Sequence, residues 1–291
     1  MSYKIAVCSG KGGTGKTTVA VNLFSTIQTK WTKNVQLIDC DVEEPNDLLF
    51  FKDAKVINRS IVNQPVPVID ESKCTFCRNC EDFCEFNAIS IIPSVKYATI
   101  DPNMCHSCGA CMHACKYNAI KEKNHAIGEL TEYTNRNETD IIEGSLKIGS
   151  PLQTRVIKDL KKKANENIGI QIFDAPPGTS CPVVETVSEA DYIILVTEPT
   201  PFGLYDLRLT VDLMNEMNKP FGIVVNKAGL GDREVYNYIS EENIDLLAEI
   251  PFNRDYASQY AKGKLLANVP PIIEQEYLKL AIYLKNRMKY D

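Results

Sequence analysis

The stretch KIAVCSGKGGTGKTT, residues 4–18, predicts both the fold and a first binding site of this chain. Residues 4–9 form an apolar run suited to a buried strand, and a helical pattern continues to about residue 29. A glycine-rich turn between strand and helix lets backbone N–H groups converge on phosphate oxygens, and the helix N-terminus adds its positive end. We therefore expect a phosphate-binding loop made of Gly10, Lys11, Gly12, Gly13, Thr14, Gly15, Lys16, Thr17 and Thr18.

Two side chains of this loop have the chemistry that a nucleoside triphosphate requires. The Lys16 ammonium can reach the β and γ phosphates, and the Thr17 hydroxyl can ligate Mg²⁺. A glycine-rich loop can also be ordinary turn chemistry, but the order glycine, lysine, threonine between a strand and a helix is typical of the P-loop.

Carboxylates end two further apolar runs. Residues 35–41 read VQLIDCD and place Asp39 and Asp41 at a predicted strand end, and residues 169–173 lead directly into Asp174. Carboxyl ends of parallel strands border the ligand in doubly wound sheets. We expect these aspartates beside the phosphate loop, and the two at positions 39 and 41 share a strand face, so their roles are interchangeable at this stage.

The additional lysine of the loop, Lys11, and the order of these motifs resemble the deviant Walker A class of MinD/ParA/Mrp ATPases. The resemblance implies that two subunits face each other across the nucleotides and that Lys11 contacts the partner's phosphates; the alternative is a solvated lysine. It further implies that Asp41 positions the attacking water, that Asp39 and Asp174 help to hold Mg²⁺, and that Gly178 offers its N–H to the γ phosphate.

Downstream residues extend the same frame. Apolar runs at 192–198, 221–226 and 246–250 predict strands, and residues 204–217 and 273–288 predict helices. Strands that alternate with helices indicate a parallel sheet, so the predicted fold class is α/β with a mainly parallel, doubly wound sheet. Asn226 opens an NKAG segment similar to the base-reading loop of GTPases, but Gly229 replaces the guanine-reading aspartate. We therefore predict ATP as the ligand, with Asn226 near the base.

Eight of the eleven cysteines fall into two copies of the spacing CxxCxxCxxxC, shifted by 31 residues. This run holds 4Fe-4S clusters in bacterial-type ferredoxins, where the fourth cysteine of each run ligates the other cluster. The spacing predicts one cluster on Cys74, Cys77, Cys80 and Cys115, and a second on Cys84, Cys105, Cys108 and Cys111.

Zinc and disulfides are the alternatives for closely spaced cysteines. Zinc sites usually pair two CxxC units across a longer gap, and disulfides are rare in a chain without a secretory leader. The clusters are therefore favoured. The repeat lies between the first aspartate pair and Asp174, so we predict a ferredoxin-like domain at 67–125 inserted into an ATPase domain at 1–66 and 126–291.

Composition limits the partners. Acidic residues outnumber basic ones by 38 to 32, giving a net charge of −6, which argues against nucleic acid as a partner. No stretch reaches the roughly 20 apolar residues of a membrane span, and Lys279, Lys285 and Arg287 interrupt the last predicted helix. We expect a cytoplasmic protein that does not bind membranes.

Together these observations favour ATP-dependent electron transfer: ATP binding and hydrolysis by a homodimer would control how two clusters dock to a redox partner. Delivery of clusters or metallocofactors to an apo-acceptor protein is the first alternative. The paired CxxC that Mrp-type carriers often have near the C-terminus is missing here. A regulatory or positioning ATPase that senses redox state is the second.

Overall fold

The computed structural model describes residues 2–134, 140–265 and 270–288, which form eleven strands and nine α-helices. The strands are β1 (Tyr3–Cys8), β2 (Val35–Asp39), β3 (Lys55–Ile69), β4 (Ile89–Ile92), β5 (Tyr97–Ile100), β6 (Ile120–Thr134), β7 (Ile141–Leu146), β8 (Ile170–Asp174), β9 (Tyr192–Thr197), β10 (Phe221–Ala228) and β11 (Leu246–Pro251). The helices are α1 (Lys16–Lys30), α2 (Asn79–Asp82), α3 (Ala110–Ala114), α4 (Gln153–Lys163), α5 (Cys181–Val187), α6 (Pro201–Glu216), α7 (Glu234–Glu241), α8 (Arg254–Tyr260) and α9 (Pro271–Arg287).

Nine of the strands form one sheet in the order β11-β10-β9-β1-β8-β2-β7-β6-β3. The seven strands from β11 to β7 are mutually parallel, whereas β6 and β3 add antiparallel at one edge. The predicted α/β class with a mainly parallel sheet is therefore confirmed. The predicted strands and helices of the parallel part agree with the observed ones to within a few residues.

Both faces of the sheet are covered, which explains why its central strands are mostly apolar. Ile5 and Val7 of β1 point to the face covered by α1 and α9, and the alternating residues Ala6 and Cys8 point to the face covered by α4 to α7. All four side chains are fully buried. This packing fixes the carboxyl ends of β1, β2 and β8 at one edge, where the phosphate loop begins.

A long two-stranded ribbon leaves the edge of the sheet. The strands β3 and β6 pair from Lys55 with Thr134 to Ile69 with Ile120, but β6 pairs with β7 only between Gly128 and Tyr133. The ribbon thus continues beyond the sheet and ends at the cysteine segment, residues 70–119. The predicted domain boundaries at 67 and 125 lie inside these two continuous strands rather than in linkers.

The cysteine segment repeats its backbone geometry with the 31-residue shift of its sequence. Ile69 pairs with Ile120 as Ile100 pairs with Ile89, and the corresponding hydrogen bonds are Asp70 N to Ala119 O at 2.7 Å and Asp101 N to Ala88 O at 2.8 Å. Positive φ angles recur at equivalent positions, at Phe76 and Ser107, Arg78 and Gly109, and Asn87 and Asn118. The sequence repeat is therefore also a structural repeat.

The predicted ATPase ranges include Met1 and residues 135–139, 266–269 and 289–291, which lie outside the described residues. Within the described residues, no helix has the length and apolar character that crossing a membrane requires.

Candidate nucleotide pocket and cysteine sites

A cleft opens at the carboxyl edge of the parallel strands, where β1 turns into α1. The phosphate loop forms its floor, the segment after β2 forms one wall, and the segment from β11 into α8 forms the other. The predicted residues that line it are Lys11, Gly12, Gly13, Gly15, Lys16, Thr17, Thr18, Asp41 and Asn226. The other predicted residues lie behind or beside this surface: Gly10, Thr14, Asp39, Asp174 and Gly178.

Lys16 and Thr17 both contact the carboxylate that ends β8. The Lys16 Nζ atom lies 2.8 Å from Asp174 Oδ1, and the Thr17 hydroxyl donates to Asp174 Oδ2 at 2.7 Å. Burial alone would lower the pKa of Lys16, but the Asp174 carboxylate outweighs it and holds that pKa above its ordinary value. The two side chains predicted to bind phosphate and Mg²⁺ are thus bonded to a carboxylate of their own chain.

Asp39 is fully buried beside Asp174, its partner in the register of β2 and β8. Its carboxylate accepts hydrogen bonds from the backbone N–H groups of Asp41 at 3.0 Å, Asn46 at 2.8 Å and Asp47 at 3.1 Å. Burial, and secondarily the charge of Asp174, raises the pKa of Asp39 to about 7. Asp39 therefore anchors the backbone of the segment that follows β2.

Asp41 has a different environment from Asp39, although the two are only two residues apart. The strand β2 ends at Asp39, and Asp41 lies beyond it on the wall of the cleft. Partial burial raises the pKa of Asp41 to about 6. The geometry separates two side chains that the sequence pattern left interchangeable: Asp41 faces the cleft and Asp39 holds the loop.

The Lys11 side chain pairs within its own chain. Its Nζ atom lies 2.9 Å from Glu198 Oε1, and 5.7 Å from the centre of the Phe202 ring. Glu198 also pairs with Lys227 at 2.9 Å, and the Lys227 ammonium donates to the carbonyl of Gly13 at 2.8 Å. The sequence analysis did not predict Glu198 or Lys227. Each comes at the carboxyl end of a predicted strand, and this position is the signal that could have identified them.

The remaining predicted residues brace the loop. The N–H of Gly178 donates to the carbonyl of Ser9 at 2.9 Å, and the Asn226 side chain donates to the carbonyl of Thr14 at 2.7 Å. Gly15 has φ of 95°, and a Cβ atom there would lie 2.0 Å from the Asn226 amide nitrogen. Only glycine fits this position, because both the left-handed backbone and the close approach exclude a side chain.

Tyrosines that sequence reasoning did not single out tie the far wall to α1. The hydroxyls of Tyr256 and Tyr277 lie 2.9 Å apart, and the Asn22 amide donates to Tyr256 at 3.1 Å and to the carbonyl of Thr18 at 2.8 Å. Pro251, Phe252, Asn253, Tyr256 and Tyr260 line this side of the cleft. Aromatic rings and an amide next to a phosphate loop can surround the base of a nucleotide.

The eight repeat cysteines line two separate small cavities. The first is lined by Cys74, Cys77, Cys80 and Cys115, and the second by Cys84, Cys105, Cys108 and Cys111. Each cavity thus receives three cysteines from one run and the fourth from the other run. These are the two groups that the sequence spacing predicts.

Backbone N–H groups point at four of these sulfur atoms. The bonds run at 3.4 Å from Phe76 to Cys74, Ala88 to Cys84, Ser107 to Cys105, and Ala119 to Cys115. Such donors stabilise the sulfurs in their anionic form. Burial raises the pKa of Cys80 to about 11 and also raises that of Cys111, so these thiols stay protonated unless a metal replaces the proton. The four-sulfur donor sets fit an iron-sulfur cluster on these grounds.

All eleven cysteines are free, so the disulfide alternative receives no support. Cys8 ends β1 and Cys40 directly follows β2; both are fully buried, and burial raises the pKa of Cys8 to about 12. The two act as packing residues. Cys181 is exposed at the first residue of α5.

Residues 5–266 match the family described as the CobQ/CobB/MinD/ParA nucleotide binding domain. An uncharacterised protein of Methanocaldococcus jannaschii is 32% identical over 288 residues, which cover 97% of each chain. The iron-sulfur cluster carrier protein of Pyrococcus horikoshii is 25% identical over 311 residues, covering 99% of this chain and 87% of that protein.

Solved structures show the same fold. The cell division ATPase MinD of Pyrococcus furiosus matches with a TM-score of 0.59 at 20% identity, covering 98% of this chain and 99% of that one. The septum site-determining protein MinD of Pyrococcus horikoshii, complexed with Mg-ADP, matches with a TM-score of 0.58 at 18% identity and covers 98% and 96% of the two chains. At these identities the likeness concerns the fold alone.

Proposed function

This chain belongs to the CobQ/CobB/MinD/ParA nucleotide-binding family, and from that premise we propose that it is an ATP-hydrolysing iron-sulfur protein. In this proposal a homodimer binds and hydrolyses ATP, and its nucleotide state controls electron transfer through two 4Fe-4S clusters. The redox partner is a separate protein.

In the nucleotide half, the phosphate loop receives the triphosphate. Lys16 exchanges Asp174 for the β and γ phosphates. Thr17, Asp39 and Asp174 would hold Mg²⁺, which would neutralise phosphate charge. Asp41, on the wall of the cleft, positions the water. Gly178 reaches the γ phosphate only after its N–H leaves the Ser9 carbonyl. Nucleotide binding therefore rearranges contacts at the ends of both β2 and β8.

Formation of the proposed dimer also requires Lys11 to change its ion-pair partner. Lys11 pairs with Glu198 of its own chain at 2.9 Å, so it must leave that carboxylate before it can contact phosphates in a second subunit. An ion pair that is partly exposed contributes only a few tenths to about 1 kcal/mol. Facing nucleotide phosphates can compete with it, which makes dimerisation dependent on ATP.

In the cysteine half, the segment 70–119 forms the inserted ferredoxin-like domain. Cys74, Cys77, Cys80 and Cys115 ligate one cluster, and Cys84, Cys105, Cys108 and Cys111 ligate the other. The clusters supply a one-electron relay, commonly at low potential. The protein's own residues set which surface approaches a partner and when.

One observation carries the coupling between the two halves: the nucleotide-contacting segment and the cysteine segment are a single continuous stretch of chain. Asp39 holds the backbone of Asn46 and Asp47, a 3₁₀ turn follows at Asp47–Phe50, and β3 runs from Lys55 to Ile69. Cys74 comes five residues later. A shift of the loop after β2 is therefore passed directly to the ribbon.

Contacts at the far end attach the ribbon to one cysteine loop. The Gln64 side chain, buried in β3, donates to the carbonyl of Cys105 at 2.8 Å, and the Ser107 hydroxyl donates to the carbonyl of Pro65. The second cysteine group is thus bonded laterally to β3. This contact supports transmission from ribbon to cluster rather than an independently swinging module.

The proposal is tested by anaerobic electron paramagnetic resonance of the reduced, cluster-loaded protein with and without Mg-ATP. We expect two interacting 4Fe-4S signals whose shape changes on ATP addition in the wild type and stays unchanged in Lys16→Ala. Identical spectra in the wild type would refute the coupling. A protein that shows no cluster absorption after anaerobic reconstitution would refute the iron-sulfur proposal as a whole.

Delivery of clusters to other proteins is a second candidate, favoured by the name of the relative from Pyrococcus horikoshii, an iron-sulfur cluster carrier. The buried ligands Cys80 and Cys111 favour retained clusters instead. Labelled iron separates the two functions: an electron carrier keeps its label through ATP turnover in the presence of an apo-acceptor, whereas a carrier transfers it. Transfer of the label at the rate of ATP hydrolysis would refute the electron-transfer function that we propose.

A further inference from the structure

Asp47 is a buried carboxylate that the proposed function leaves without a role. It opens the 3₁₀ turn after β2 and is fully buried. Among the described residues, neither oxygen of its carboxylate has a hydrogen-bond partner, and the buried side-chain oxygen of Asn46 also lacks one. A buried carboxylate in this condition is costly unless a proton or a cation accompanies it.

The Asp47 carboxylate points toward two others. One oxygen each of Asp39, Asp47 and Asp174 lie within 4.8 Å of one another, and the backbone N–H of Asp47 donates to Asp39 at 3.1 Å. That hydrogen bond fixes Asp47 in its place. The cluster therefore combines three buried acidic groups with a side chain whose own hydrogen-bonding capacity is unused.

Charge at this point is unbalanced. Lys16 supplies a positive charge through its pair with Asp174, and Glu143 on β7 adds a further carboxylate whose charge reaches Asp47. Three carboxylates and one ammonium leave an excess of negative charge in a site without solvent.

Oxygen ligands of this kind select Mg²⁺ or Mn²⁺. A site that relies on nucleotide phosphates for most of its ligands needs few protein carboxylates, since phosphate oxygens supply the charge. Here three carboxylates converge, and the Thr17 hydroxyl lies 2.7 Å from one of them. The donor set therefore has enough negative charge to hold a divalent cation by itself.

We propose that Asp39, Asp47 and Asp174 form a divalent-cation site that is loaded before the nucleotide, with Asp47 as the ligand that makes binding independent of ATP. The inference builds on the proposed nucleotide site but does not need ATP to bind. Because Asp47 begins the turn that leads into β3, the cation contacts the segment that ATP is proposed to shift. ATP then arrives at a site that already holds its divalent cation.

The test measures Mn²⁺ binding to the cluster-loaded protein without nucleotide, by equilibrium dialysis with Mn²⁺ paramagnetic resonance as the readout. Mn²⁺ prefers oxygen over thiolate ligands, so the cysteines do not compete. We expect one Mn²⁺ per chain in the wild type and at least tenfold weaker binding in Asp47→Asn. Asp53→Asn is the matched control: Asp53 is exposed on the connection between the same turn and β3, and its removal should leave binding unchanged.

Absence of Mn²⁺ binding in the wild type, or equal binding in Asp47→Asn, would overturn the inference. A wild-type measurement keeps the test independent of how the variant folds: Mn²⁺ without nucleotide should raise the unfolding temperature, and no rise would count against the site. Wild-type protein that binds Mg-ATP but no free Mn²⁺ refutes this inference alone. Protein that binds Mn²⁺ but no ATP refutes the proposed function and leaves the cation site standing.

Discussion

The charged groups of the nucleotide cleft and the sulfur atoms of the cysteine segment have different kinds of bonding partner. In the cleft, the charged groups bond to one another: Lys16 pairs with Asp174 and Lys11 with Glu198. In the cysteine segment, the sulfurs receive backbone donors and line two small cavities. The ion pairs of the cleft must break when its ligand binds, so the cleft can change between two arrangements, as a switch does. The cysteine segment has no such arrangement.

The two regions also differ in how they are held together. The parallel sheet has extensive apolar clusters on both faces, whereas the larger apolar cluster around the two cysteine cavities contains Cys80, Cys111 and only three isoleucines among its buried members. A segment of this size rarely folds on its own core, and metal binding then supplies folding free energy. We infer that the clusters are structural for the cysteine segment, while nucleotide is optional for the sheet.

The largest expected effect comes from Lys16→Ala. Removing the ammonium should weaken ATP binding on the order of 100-fold, since the loop loses its main charge-assisted contact, and iron content should stay at the wild-type level. Asp174 also loses its buried partner, which costs about 3 to 5 kcal/mol of stability. Calorimetric titration with ATP measures nucleotide binding, and iron analysis separately measures the cluster content.

Lys16→Gln is the companion variant, because it keeps a hydrogen-bond donor near Asp174 and removes only the charge. It should recover much of the lost stability without recovering ATP binding. Loss of iron in either variant would contradict the difference between the two regions, since it would mean that they do not fold independently.

Next in size is the effect of Cys80→Ser. The variant removes one of four ligands from the first cavity, so we expect about half of the iron to be lost while ATP affinity changes less than about twofold. Cys181→Ser, at an exposed cysteine outside both cavities, is the matched control and should retain all iron. Iron and sulfide analysis with ATP titration checks this. Full iron content in Cys80→Ser would show that Cys80 is not a required cluster ligand.

The smallest effect is expected for Glu198→Gln, which releases Lys11 from its ion pair. The pair is partly exposed, so its loss should favour ATP-dependent dimerisation by a few-fold, in line with about 1 kcal/mol or less. Sedimentation with a non-hydrolysable ATP analogue measures it, with Glu216→Gln on the exposed end of α6 as the control. Weaker dimerisation in Glu198→Gln would show that the ion pair is not a competing resting state.

The parts of the fold that could be predicted are those that local sequence determines. The buried parallel strands β1, β2, β8 and β9 are continuous apolar runs, and the 31-residue cysteine repeat carries its own spacing. The cavities bring together the same two groups of four because the repeat pairs with itself through Ile69 with Ile120 and Ile89 with Ile100.

The ribbon could not be predicted in this way, because residues 55–61 of β3 are mostly exposed and the strand contains Pro65 and Pro67. Prolines usually interrupt strands, yet an edge strand tolerates them, since its outward N–H groups have no partner to lose. The contribution of Asp47 was also missed. Its burial depends on packing around the loop after β2 rather than on any local pattern, and so do the partners that Lys11 and Lys16 adopt without nucleotide.

Hydrogen exchange along the continuous stretch from Asp39 to Cys74, measured on cluster-loaded protein with and without Mg-ATP, tests the coupling most directly. We predict that ATP changes protection first in the 3₁₀ turn Asp47–Phe50 and then through β3 into the first cysteine loop, and that Lys16→Ala abolishes the change. A response in the turn that stops before β3, with the cysteine segment unchanged, would contradict the coupling of nucleotide state to the clusters.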